Sequence, residues 1–357
     1  MAGFSSWREK KRIPAAPLQP VVDPAGWSAD ELRDVARWSY DFAEEEKDEL
    51  VAAVAEVRRR GVALVDIERA HFPLRRTADL LEEVRHELKD GRGIVMLRGF
   101  PLDRLDREGQ AIAYLGLGAY LGEKMPQNGQ GHILGHVKDL GGDYEDPTTR
   151  GYMTRAEMRF HTDPSHYVGL LCLQEARSGG ESRVVSSITM YNEILRERPD
   201  LVAVLCQDFY RTLSGETNPG EKPWFKQPIF FFCEGHLSAT GLGAAIDKAH
   251  RLPGVPPLTA LQKEAIQAYR SAADRLAVDV GFRRGDIQLL NNFVMLHTRR
   301  GYEDWPEDAR KRHLLRMWMF DADGRPIPKE QREGRSGRGI RLQGVPLSAP
   351  LEVHQLA

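Results

Sequence analysis

His161 and Asp163 stand two residues apart in the stretch Arg159-Phe160-His161-Thr162-Asp163. On a β-strand, side chains at i and i+2 project to the same face. An imidazole and a carboxylate placed together in this way make two thirds of a 2-His-1-carboxylate facial triad. That set holds non-haem Fe(II) and leaves positions open for substrate and oxygen. A His-x-Asp alone is a weak signal, because a loop hydrogen-bond pair is spelled the same way. A second stretch, from Gly285 to His297, strengthens it. There, two apolar runs flank Asn291-Asn292 and read as two strands joined by a tight turn. Asparagine suits such a turn because it tolerates left-handed backbone angles. His297 closes the second run and can supply the third ligand.

Arg312 follows His297 by fifteen residues (312 − 297 = 15) and opens the strand-like run Arg312-His313-Leu314-Leu315-Arg316-Met317-Trp318-Met319-Phe320. Arg312 and Arg316 are four apart, so they share a strand face. Two guanidiniums turned into an apolar interior are costly without anions to meet them. A dicarboxylate cosubstrate and an anionic substrate would answer both. The planar fork of an arginine grips a carboxylate through two parallel bonds, which a lysine does not. A surface salt bridge is the plain alternative for Arg312, and a role buttressing the surroundings of Arg312 is the alternative for Arg316.

These motifs resemble the taurine dioxygenase / TfdA family of Fe(II)- and 2-oxoglutarate-dependent oxygenases, over a span from about Gly93 to Phe320. Gly179-Gly180-Glu181-Ser182 is similar to the family's Gly-Gly-Asp-Thr, and Ser182 keeps the hydroxyl without the methyl. The resemblance implies a double-stranded β-helix (jelly-roll) core. It implies His161, Asp163 and His297 as the Fe(II) ligands, and Arg312 with Ser182 on the distal carboxylate of 2-oxoglutarate. It also implies Arg316 on the acid group of a small anionic substrate. Related halogenases lack the carboxylate ligand, so Asp163 favours hydroxylation or another oxygen-transfer or dehydrogenation outcome. The expected reaction consumes dioxygen and releases succinate and CO2.

The chain has 357 residues, 41% hydrophobic and 29% charged, an ordinary globular balance able to bury a large core. A net charge of −2 gives no global field for nucleic acid or an anionic membrane. Cys172, Cys206 and Cys233 are too few and too scattered for a disulfide framework or a zinc site. No apolar run reaches the length of a membrane span, and residues 1–17 lack the apolar segment of a signal peptide. A cytoplasmic enzyme is expected, and self-association is left open.

Ser28-Ala29-Asp30-Glu31 spells a capping box, and the chain reads helical from there to about residue 60. Residues 62–67 read as a strand, 77–88 as a helix, 93–100 as a buried strand and 108–121 as a helix. Residues 143–157 form a long polar loop leading to His161. Strands follow at 167–173 and 183–187, a helix at 191–198, a hairpin around Glu234-Gly235 and a helix at 259–274. Helices cluster early and strands late, an α+β pattern that a jelly roll with added helices fits. The expected division is an N-terminal arm and helix (1–60), the oxygenase domain (61–320) and a C-terminal extension (321–357), the last an arm or partly disordered. Gln127, Asn128 and Arg159 read as ordinary loop residues, and 299–310 as a solvated loop. His166 is expected at the pocket rim. A jelly-roll protein that binds without turnover, and an oxygenase of a macromolecule, are the rival readings; no basic stripe favours nucleic acid.

Overall fold

The structure, a computed structural model, describes residues 10–142 and 151–353. Part of the predicted 143–157 loop therefore lies outside the described residues. The first strands are β1 (Ser39–Asp41), β2 (Ile94–Arg98), β3 (Glu123–Met125), β4 (Gly135–Val137) and β5 (Tyr167–Gln174). Next come β6 (Ser178–Gly179), β7 (Ser182–Ser186), β8 (Asp208–Thr212), β9 (Trp224–Pro228), β10 (Phe230–Cys233) and β11 (His236–Ala239). The last are β12 (Val278–Val280), β13 (Ile287–Asn291), β14 (Met295–Arg299), β15 (Tyr302–Glu303) and β16 (His313–Phe320).

Two sheets face each other. The large one runs β1-β2-β13-β5-β16-β3, with β4 also on β16, and only the β1-β2 pair is parallel. The small one runs β12-β7-β14. Period-2 alternation sorts the large sheet's side chains. Val95, Leu97, Leu171, Leu289, Leu315 and Met317 pack outward under the helices Glu44–Arg60, Arg76–Lys89 and Arg107–Gly118. Ile94, Met96, Val168, Leu290 and Trp318 face the small sheet's Val184 and Met295. This is the expected α+β jelly roll with added helices.

Several local readings change. The capping box at Ser28 is present, but its helix ends after Ala29–Arg33. Trp38 then turns into the core, its indole N–H donating to the Leu32 carbonyl, and β1 pairs with β2 before a second helix, Glu44–Arg60, begins. Burying a tryptophan outweighs continuing the helix. Residues 62–67 contain a 3-10 turn, Leu64–Asp66, rather than a strand.

The Asn-Asn segment is not a hairpin turn. β13 pairs with β2 and β5 while β14 pairs with β7, so the chain crosses there from one sheet to the other. Neither asparagine has a positive φ. Their side chains satisfy the corner instead. Asn291 Oδ1 accepts from Phe293 N at 2.9 Å and its Nδ2 donates to the Leu88 carbonyl at 3.0 Å. The β10-β11 hairpin does turn through positive φ, at Glu234 and Gly235.

Candidate metal centre and cosubstrate pocket

His161 and His297 sit directly opposite each other in an antiparallel bridge. Each backbone N–H donates to the other's carbonyl, at 3.0 and 2.9 Å. Opposed residues point to the same side, so the two imidazoles meet with ring centroids 4.4 Å apart. Asp163 is two residues beyond His161. One ligand atom from each of His161, Asp163 and His297 lies within 4.8 Å of the others. His161 Nδ1 meets the Arg159 carbonyl at 3.0 Å, which leaves Nε2 free as a ligand atom. Asp163 Oδ2 is buried and has no hydrogen-bond partner. A buried carboxylate oxygen in that state is costly unless a cation meets it. The residues therefore fit a divalent ion of the non-haem iron type.

Electrostatics favour the same ligand forms. Burial alone would raise the Asp163 carboxyl, but the Arg316 guanidinium and the imidazoles of His297 and His161 hold it below its ordinary value. Burial, with His161 nearby, pushes the His297 imidazole down to about 3, so it stays neutral. Metal ligation needs an ionised carboxylate and neutral imidazoles.

Other residues hold these three in place. Asn292 Oδ1 accepts the Asp163 backbone N–H at 3.1 Å, and its Nδ2 donates to Ser165 Oγ at 2.9 Å. Gly241 packs so tightly that a Cβ there would lie 2.3 Å from Thr162 N. Arg211, buried, donates to the carbonyl of that glycine at 2.7 Å.

Arg312 is enclosed at the other end of the space between the sheets. Its Nη2 donates to the Gly180 carbonyl at 3.2 Å, and the guanidinium lies 5.2 Å from the Tyr302 ring centre. Its Nη1 is buried and has no partner. Among the described residues, no carboxylate oxygen lies within ion-pair distance of this guanidinium. Gly180, at φ 79°, is required here because a Cβ would sit 2.9 Å from Arg312 Nε. Ser182 Oγ donates to Gln288 Oε1 at 2.8 Å. A buried cation with a free donor fits a carboxylate of a cosubstrate.

Arg316 lies nearer the three candidate ligands. Its Nε donates to Gln127 Oε1 at 2.7 Å, its Nη1 meets Asp163 Oδ1 at 3.5 Å, and it stacks against Tyr152 and Trp318. A cavity of about 700 Å³ opens beside the triad, lined by Tyr152, His161, Asp163, Arg211, Phe293 and Trp318 among others. A larger one, about 990 Å³, lies against Tyr269 and Asp274 and includes none of the three candidate ligands.

Gln127 is not an ordinary loop residue: it buttresses Arg316. Asn292 does not serve as a turn former; it holds Asp163. Nothing in the local spelling distinguishes a buttressing amide from a loop amide. His166 is not at the rim: it is buried behind the site between Phe293 and Phe320, with Nε2 on the Arg325 carbonyl. Within 299–310, Arg299 and Tyr302 are buried rather than solvated.

A jelly roll with a His/Asp/His cluster at one end and an enclosed arginine at the other is the form of a non-haem iron oxygenase. The profile of the family described as "Taurine catabolism dioxygenase TauD, TfdA family" matches residues 43–318, and the chain belongs to that family. It is an Fe(II)/2-oxoglutarate-dependent dioxygenase that acts on a small molecule. FR-33289 synthase of Streptomyces rubellomurinus is 30% identical over 317 residues, 87% of this chain and 93% of the relative. Taurine hydroxylase-like protein SAT17 of Stachybotrys chartarum is 28% identical, covering 84% of this chain and 79% of its own. Two solved structures share the fold. Asparagine oxygenase with Fe(II), 2S,3S-3-hydroxyasparagine and succinate has a TM-score of 0.61 at 17% identity, over 80% of this chain and 94% of the other. The non-haem iron oxygenase OrfP with Fe and alpha-ketoglutaric acid has a TM-score of 0.58 at 17% identity, over 79% and 94%.

Proposed function

We propose that His161, Asp163 and His297 hold the Fe(II), that Arg312 with Ser182 serves the distal carboxylate of 2-oxoglutarate, and that Arg316 meets an acid group on the substrate. The observation that carries this reading is the meeting of the three candidate ligand atoms within 4.8 Å beside a cavity of metabolite size. Fe(II), 2-oxoglutarate and dioxygen together supply the oxidising chemistry used on a substrate C–H bond, leaving succinate and CO2. The chain's own residues bind, orient and exclude water. His297 stays neutral and Asp163 ionised, the forms a divalent cation needs.

Arg316 has two of its nitrogens engaged, by Gln127 and Asp163. Nη2 has no hydrogen bond among the described residues. That nitrogen supports the reading of an anionic substrate, with its acid group at Arg316 and its reactive carbon toward His161 and Asp163. Taurine, in one relative's name, carries a sulfonate. Asp163, the protein's own acid, already meets Arg316 on one side, so the arginine serves ligand and substrate together.

A cytoplasmic setting without a nucleic-acid or membrane partner completes the reading. Its supports are the net charge of −2 and three free cysteines, with the Cys172 thiol pushed up to about 12 by burial and so inert. Among the described residues, no helix is long and apolar enough to cross a membrane.

The test is a screen of small carboxylates, sulfonates and phosphonates for substrate-triggered succinate formation, followed by Arg316→Gln with the substrate found. Substrate KM should rise about tenfold or more, the worth of one charge-assisted bond. The slow, substrate-independent conversion of 2-oxoglutarate should survive. Parallel loss of both activities would put Arg316 in the cosubstrate site, the fold or the support of Asp163 rather than on the substrate, and no loss of either would place the acid group elsewhere.

A further inference from the structure

We propose that Gln288 is a direct donor to the distal carboxylate of 2-oxoglutarate and that Ser182 acts through it, as a positioning residue. This rests on the reading that the dicarboxylate sits at Arg312. Gln288 is fully buried on β13, and its Nε2 has no hydrogen-bond partner. A buried amide donor without a partner is uncommon in a folded protein and marks a place where another group is received.

The register places Gln288 on the inner face of the large sheet. It stands opposite Leu170, and Leu170 stands opposite Arg316. Cys172, two residues along the same face, stands opposite Leu314, and Arg312 is two residues further on. Ser182 comes from the small sheet, two residues after Gly180, whose carbonyl accepts from Arg312 Nη2. The Ser182–Gln288 bond therefore joins the two sheets at the end of the intersheet space that Arg312 closes. Two unmatched buried donors, Arg312 Nη1 and Gln288 Nε2, belong to that end. A carboxylate has two oxygens and lone pairs enough for both.

The direction of the serine bond decides the roles. With its hydroxyl donating to Gln288 Oε1, Ser182 has used its only proton. It then fixes the amide so that Nε2 is turned away from it and available to an anion. In the opposite arrangement Nε2 would donate to Ser182 Oγ, the hydroxyl would be the direct donor, and Gln288 Oε1 would be left to repel the carboxylate.

Anaerobic calorimetric titration of 2-oxoglutarate into the Fe(II)-loaded protein separates these cases, with thermal melts and Fe(II) affinity measured for every variant. Gln288→Met, close in volume, should raise the 2-oxoglutarate Kd roughly ten- to hundredfold, as for a lost hydrogen bond to a charged group, with Fe(II) affinity unchanged. Ser182→Ala should raise it less. The double variant should match Gln288→Met alone, because a residue acting only through another adds nothing once the other is gone. Should Gln288→Met fail to fold, Gln288→Glu keeps the shape and should weaken binding further by opposing two carboxylates. A larger loss from Ser182→Ala than from Gln288→Met, or losses that multiply in the double variant, would overturn the proposal. An unchanged Kd in Gln288→Met would do the same. Arg312→Ala is the control for the underlying reading: if it leaves the Kd unchanged, that reading fails, whereas loss at Arg312 with none at Gln288 removes only the proposal.

Discussion

Asp163 keeps its charge in an enclosed site because Arg316 and two imidazoles outweigh the cost of burial, and it keeps its place because Asn292 holds its backbone N–H. An outer partner of a metal ligand usually matters to metal affinity by about ten- to hundredfold. Asn292→Ala should therefore weaken Fe(II) binding by about tenfold or more, measured by competition with a chelator, while the melt shows the chain still folded. Unchanged affinity would mean the Asp163 backbone needs no such support. At this scale the candidate ligands were legible, since iron chemistry demands imidazole and carboxylate at spacings that a strand can bring together. Asn292, Gln127 and Gln288 were not, because what an amide does depends on which neighbour the fold delivers to it.

β16 carries Arg312 at its entry and Arg316 within it, and its outward face is tied down by a chain of three side chains. Arg107 Nη2 lies 3.2 Å from His313 Nδ1, His313 Nε2 lies 2.8 Å from His136 Nδ1, and His136 Nε2 lies 2.8 Å from the Pro350 carbonyl. One set of neutral tautomers satisfies the whole chain: Arg107 donates to His313, His313 to His136, and His136 to the carbonyl. Burial pushes His136 down to about 4 and His313 to about 2. Both are therefore neutral in the folded state across the range where free histidines, near 6.5, take up a proton. The unfolded state binds more protons below that value, so stability is lost as pH falls from about 6.5 toward 4. A melt series across that window should show Tm dropping in the wild type and dropping less in His136→Gln; equal slopes would remove the pair from the pH response. Strands such as β13 and β14 were readable from their apolar runs, but their membership of different sheets was not, because alternation fixes a face and not a neighbour.

The molecule continues past residue 318, where the match to the family profile ends. Residues after it, expected as an arm or a disordered tail, supply Glu330, Arg335 and Ile340 to the cavity wall, and Pro350 anchors to His136. Their Gly- and Arg-rich composition resembles that of a flexible segment, and only the tertiary anchors, such as Ile340 N on the Pro126 carbonyl, order them. The fold class was legible from the order of helices and strands together with the three motifs. In the proposed site His161, Asp163 and His297 jointly hold iron next to a bound 2-oxoglutarate. The visible spectrum of the Fe(II)-loaded protein on anaerobic addition of 2-oxoglutarate reports on that arrangement. The wild type should develop a weak charge-transfer band, and His161→Ala, Asp163→Ala and His297→Ala should each lose it while remaining folded. Retention of the band in all three folded variants would contradict the assignment.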